Sequence, residues 1–130
     1  MQIGPVVSRA VLHVALRDSL AEAARQMTAR KVGSAIVMTD EGPGIITERD
    51  ILRAVATGSD LETAPVEEYM THNAITAFED WDLREAAQRM AAGGFRHLIV
   101  LGSGGQVEGI LSMRDLMMAL LQESEPGRSK

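Results

Sequence analysis

Two short stretches carry the residue types best suited to chemistry. Gly44-Ile-Ile-Thr-Glu-Arg-Asp50 sets a hydroxyl and a carboxylate three residues apart, and Gly109-Ile-Leu-Ser-Met-Arg-Asp115 repeats the arrangement. At a helix start such a pair can close a capping box: the hydroxyl accepts from the N–H three residues on, and the carboxylate accepts back. A carboxylate left open there takes short, charge-assisted hydrogen bonds. The free N–H groups of a helix N-terminus favour a nearby phosphate. Other chemistries are missing. Cysteine is absent, which excludes disulfides, thiolate catalysis and thiolate-bound zinc. His13, His72 and His97 show no metal-ligand spacing. There is no nucleophile elbow, no P-loop and no Gly-x-Gly-x-x-Gly. A non-catalytic protein with no metal and no required cofactor is expected.

The elements that must position these residues come twice. Ser19-Leu-Ala-Glu-Ala-Ala-Arg-Gln-Met27 returns as Asp82-Leu-Arg-Glu-Ala-Ala-Gln-Arg-Met90. Its displacement is two residues shorter than that of the Gly-to-Asp motif. The difference falls between Met38 and Gly44 in one copy and between Leu101 and Gly109 in the other, where a hairpin loop tolerates insertion. Each copy reads as strand, helix, strand, hairpin, strand, helix. Ser19 or Asp82 caps the first helix, with Glu22 or Glu85 placed to reach back. Leu20, Ala23, Ala24 and Met27, matched by Leu83, Ala86, Ala87 and Met90, form one apolar face. Ala35–Met38 and Leu98–Leu101 are too short for helices and read as strands. Ile45-Ile46 and Ile110-Leu111 form the strands that end at the motifs. Val11–Ala15 and Ala74–Ala77 are candidate first strands. Thr57–Ala64 reads as the linker. Pro65–Met70 reads as a short turn opening the second copy, with Pro5–Arg9 as its counterpart.

The chain has 130 residues, 45% hydrophobic and 24% charged, as a folded globular protein requires. Thirteen basic residues against 18 acidic ones leave a net charge of −5, and the second half is the more acidic. That balance disfavours general nucleic-acid binding. No apolar run approaches the ~20 residues that span a bilayer, and the N-terminus lacks a signal-peptide pattern. A cytoplasmic, non-membrane location is expected. A copy of ~60 residues buries only about 60% of its unfolded surface, so two copies are expected to pack together with approximate two-fold symmetry and a cleft on each side of the axis.

A strand ending in Gly-apolar-apolar-Thr/Ser-x-x-Asp and running into a helix, present twice, resembles the CBS domain family, whose tandem pairs are Bateman modules. The resemblance spans roughly Pro5 to Gln122. It implies an α/β fold of tandem CBS repeats, each β-α-β-β-α, packed with pseudo-two-fold symmetry. The repeats are placed at 5–60 and 65–122, with a flexible tail at 123–130. It implies a non-catalytic regulatory module that binds adenine-containing ligands (AMP, ADP, ATP or S-adenosylmethionine) in clefts between the repeats. Asp50 and Asp115 would bond ribose hydroxyls, and Thr47 and Ser112 would support ribose or phosphate. The motif glycines would let backbone approach the base. Face-to-face homodimers are common in the family, and an effector protein would read the bound state. A ligand-free dimerisation or interaction module is the alternative.

Arg30 and Lys31 precede the second strand of the first copy, and Arg96 and His97 hold related positions in the second. In such families basic residues there meet phosphates; otherwise they are solvated. Arg49 and Arg114 either pair with surface carboxylates or line a cleft. The second strands lack the proline common in the family. Thr76 fits a threonine common near the end of the first strand, where the first copy has His13. The motif residues either cap their helices alone or also meet a ligand. Trp81, just before Asp82, fits a hydrophobic staple. Met117 and Met118, with Leu120 and Leu121, could extend an apolar face for dimerisation.

Overall fold

The structure is a computed structural model that describes residues 1–123. The part of the expected tail at 124–130 lies outside the described residues, while Gln122 and Glu123 belong to the last helix. The first repeat runs α1 (Leu20–Arg30), β1 (Ser34–Thr39), β2 (Gly42–Thr47) and α2 (Glu48–Ala56). The second runs β3 (Thr76–Phe78), α3 (Leu83–Gly93), β4 (His97–Leu101), β5 (Val107–Ser112) and α4 (Met113–Glu123). β1 and β2 form an antiparallel hairpin that pairs Ser34 with Thr47. In the second sheet β3 runs parallel to β4, and β4 runs antiparallel to β5 with His97 opposite Ser112. The length difference between the copies lies in the hairpin loops and in a register shift at Val100/Leu101.

Ser19 caps α1 by accepting from Glu22 N at 3.0 Å, and Asp82 caps α3 by accepting from Arg84 N and Glu85 N. The acidic residues do not reach back. Glu22 instead accepts from Arg25 and Gln26, and Glu85 from Arg89. Cationic and amide partners one turn on hold these carboxylates on the solvent side. The expected faces are buried at Leu20, Ala23 and Met27 and at Leu83, Ala86 and Met90. Both helices close on a left-handed residue, Lys31 (φ 58°) in α1 and Gly94 (φ 72°) in α3.

The first strand is realised in one copy only. β3 pairs three residues with β4, whereas Val11–Ala15 has a single bridge at His13. Leu12 and Val14 still face the core, tied by hydrogen bonds to Ile36. Thr57–Ala64 is folded down rather than free: Ala64 O and Leu61 O accept from Leu20 N and Ala21 N, satisfying two open amides of α1.

The described chain divides into two compact units, one of residues 11–74 and one of residues 1–10 with the chain from 75 on. The short 3-10 turns Gly4–Val6 and Val66–Glu68 therefore sit in the unit of the other repeat. Ile3 and Val7 join the core of α3, β4 and β5. Val66 and Met70 take matching places in the core of α1, β1 and β2. Ser8 bridges Ile110 as Thr71 bridges Ile45. The opening segments thus match as Ile3 with Val66 and Ser8 with Thr71, not proline with proline.

Candidate functional site

Each motif sits where a buried strand turns into a helix. β2 buries Ile45 and Ile46 and delivers Thr47 to the first turn of α2; β5 buries Ile110 and Leu111 and delivers Ser112 to α4. Glu48 N donates to Gly33 O, and Met113 N donates to Arg96 O, so the residues before β1 and β4 lie against the starts of α2 and α4.

In the first repeat the motif closes on itself. Asp50 N donates to Thr47 Oγ1 at 3.4 Å, while Asp50 Oδ2 accepts from Thr47 N at 2.9 Å and Thr47 Oγ1 at 3.1 Å. This is a full capping box with Asp in the place of Glu. The other oxygen, Oδ1, accepts from Arg53 Nη2 at 3.1 Å, and Arg53 also donates to Tyr69 O. Asp50 is 7% exposed, the one buried charged residue described.

In the second repeat the motif stays open. Ser112 Oγ accepts from Asp115 N at 3.1 Å. The half-buried Asp115 carboxylate has no hydrogen-bond or ion-pair partner among the described residues. Position 118, one turn on, is a methionine where the first repeat has Arg53.

Arg96 and His97 lie beside Ser112 through the β4–β5 ladder and the Met113 N–Arg96 O bond. Their counterparts by register are Gly33 and Ser34. Arg30 and Lys31 are therefore not the partners of Arg96 and His97; they end α1, where Lys31 lines a groove of about 600 Å³ with Met27, Glu48, Ile51 and Leu52. Arg49 and Arg114 are exposed, and neither forms an ion pair among the described residues. Trp81 packs on the core of its unit with the Arg89 guanidinium 4.5 Å above its ring. His72 Nε2 lies 2.8 Å from Glu67 O. Among the described residues no group of three His, Asp or Glu could hold a metal, and no helix is long and apolar enough to cross a membrane.

The motif glycines do not face an open slot for a base. A Cβ on Gly44 would lie 2.6 Å from Thr71 O and against Met70, and one on Gly109 would meet Ser8 O and Val7. What approaches them is the chain itself. Sequence reasoning also passed over Arg53, although its spacing three residues after Asp50 is that of a helical ion pair.

The family model for the CBS domain matches residues 3–57 and 66–122. A 17.7 kDa protein of Acidianus ambivalens is 38% identical over 122 residues, covering 92% of this chain and 73% of that protein. A Methanopyrus kandleri protein is 30% identical over 120 residues, covering 90% of this chain and 61% of its own length. Among solved structures, a CBS domain protein from Pyrobaculum aerophilum complexed with AMP superposes with a TM-score of 0.82 at 29% identity, covering 95% of this chain and 97% of that one.

Proposed function

The chain belongs to the CBS domain family as a tandem pair of repeats, and we propose that it is a non-catalytic regulatory module for an adenine-containing nucleotide. The reading rests most on Asp115, a half-buried carboxylate with no partner among the described residues, held at a strand-to-helix turn beside Ser112, Arg96 and His97. Two open carboxylate oxygens suit a pair of vicinal ribose hydroxyls. The first turn of α4 and the Arg96 guanidinium suit a phosphate. The AMP bound to the Pyrobaculum relative supports the same ligand class. Binding would shift an equilibrium that a partner protein reads.

Calorimetry and thermal shift against AMP, ADP, ATP and S-adenosylmethionine test this. Stabilisation by at least one of them at millimolar concentration or below is expected. Indifference to all four would leave the alternative, a ligand-free module that works as a homodimer. The exposed Leu52 and Val55 on α2, and Met117, Met118 and Leu121 on α4, favour a dimer in either case. Sedimentation velocity with and without nucleotide separates the two readings.

A further inference from the structure

We infer that the two motifs are not equivalent, and that Arg53 sets the difference: it holds the first repeat closed by occupying the carboxylate that a nucleotide would need, so the second repeat binds first. This rests on the nucleotide reading above and specifies which of its two candidate sites is used.

The geometry is local to each repeat. A carboxylate offers about four lone-pair positions. Asp50 already spends three, on Thr47 N, Thr47 Oγ1 and Arg53 Nη2, and is almost fully buried. Two vicinal hydroxyls need two acceptors, so a ribose at Asp50 must first displace Arg53. Asp115 spends none on side-chain or backbone donors among the described residues. Met118, in the place of Arg53, carries no donor that could compete.

Two neighbouring differences act in the same direction. The first residue of α2 is Glu48, whose carboxylate fills the space beside Gly33: a Cβ there would lie 2.6 Å from Glu48 Oε1. The first residue of α4 is the uncharged Met113, and the position matching Gly33 is Arg96. The first repeat therefore places an acidic residue at the helix start, and the second places a basic one, the exposed Arg96, in the segment bonded to its helix start. The Arg53–Asp50 pair is half-exposed on its arginine side, with 56% side-chain exposure against 10% for Asp50. Such a pair is a modest barrier, about fivefold in affinity. It orders the sites without abolishing one.

The test is calorimetric titration with AMP on the intact chain, using Arg53→Met, Met118→Arg, Asp50→Asn and Asp115→Asn. The first AMP bound should be lost in Asp115→Asn and kept in Asp50→Asn. Arg53→Met should strengthen the first-repeat site about fivefold, so that a second AMP per chain titrates; Met118→Arg should weaken the second-repeat site by about the same factor. Arg53 and Met118 are exposed, so both variants should fold, which thermal melting checks. Two sites of equal affinity, loss of the first AMP in Asp50→Asn alone, or an Arg53→Met titration identical to the parent would each overturn the inference and leave the nucleotide reading standing. If AMP, ADP, ATP and S-adenosylmethionine all fail to bind any variant, both fall together.

Discussion

Capping chemistry at single residues decides how the helices of this chain begin, and it differs from cap to cap. Thr47 and Asp50 exchange three hydrogen bonds, whereas Ser112 gives its helix only one. Asp82 is the charged cap. Its Oδ2 accepts from Arg84 N and Glu85 N, and Oδ1 lies 3.4 Å from the terminal ammonium. Desolvation pushes this carboxyl up, but the two backbone N–H groups and the ammonium together hold it below the ordinary value. A group held low in the folded state binds fewer protons there than in the unfolded chain. Its contribution is complete above the unfolded carboxylate range near ~4 and is lost as pH falls through the lowered folded value. Asp82→Asn keeps an acceptor for the cap but has no charge to lose. It should be less stable than the parent at neutral pH, with the gap closing as acid is added. Urea midpoints from neutral pH down to about pH 2 read this out. A gap that stays constant would mean that the charge contributes nothing.

At the scale of elements, the Gly44 and Gly109 positions show what joins strand to neighbouring segment. Each is buried, and each abuts the backbone of an opening segment, Thr71 or Ser8, which then pairs with the next strand residue. Gly109→Ala would push a methyl group onto Ser8 O and Val7, where no flexible side-chain end can give way. A loss of about 1–3 kcal/mol is expected by urea denaturation. An unchanged midpoint would mean that the Ser8–Ile110 bridge is dispensable. The helices, the hairpins and the site of the two-residue insertion were legible in the sequence because periodicity, caps and loop composition are local signals. The Gly-to-Asp motif was legible for the same reason, being seven consecutive residues. Val11–Ala15 was not legible as the near-strand it is. Alternation shows that Leu12 and Val14 face inward, but whether a ladder forms depends on a partner more than twenty residues away. Arg53 was legible in principle, since Asp-x-x-Arg is a helical spacing; that it also donates to Tyr69 O, far along the chain, required the fold.

Over the whole molecule, chain order and unit membership do not coincide. Residues 11–74 form one unit as a continuous stretch, while the other joins the first ten residues to the described chain from 75 on. Ile3 is fully buried in the core with Leu83, Leu98 and Leu111, and Ile3 N and Gly4 N donate to Trp81 O and Glu79 O. Arg9 adds ion pairs to Glu79 and Glu108. Repetition showed that both copies have an opening turn, but nothing local tells such a turn to join the other copy's core. Closing a loop of this length costs entropy that grows only slowly with length, so the arrangement takes little from stability, while contacts so far apart in the chain slow folding. The consequence is specific. Ile3→Ala should cost about 2–5 kcal/mol, and although the substitution lies ahead of the first repeat, the damage should appear in the second. Native-state hydrogen exchange should show protection falling in α3, β4, β5 and α4 while α1, β1, β2 and α2 keep theirs. Equal loss in both units would mean that they open as one cooperative block, and loss confined to residues 11–74 would contradict the exchange of opening segments. Because Asp115 and Ser112 stand on β5 and α4, the same variant should weaken nucleotide binding at the second repeat before it disturbs the closed motif of the first.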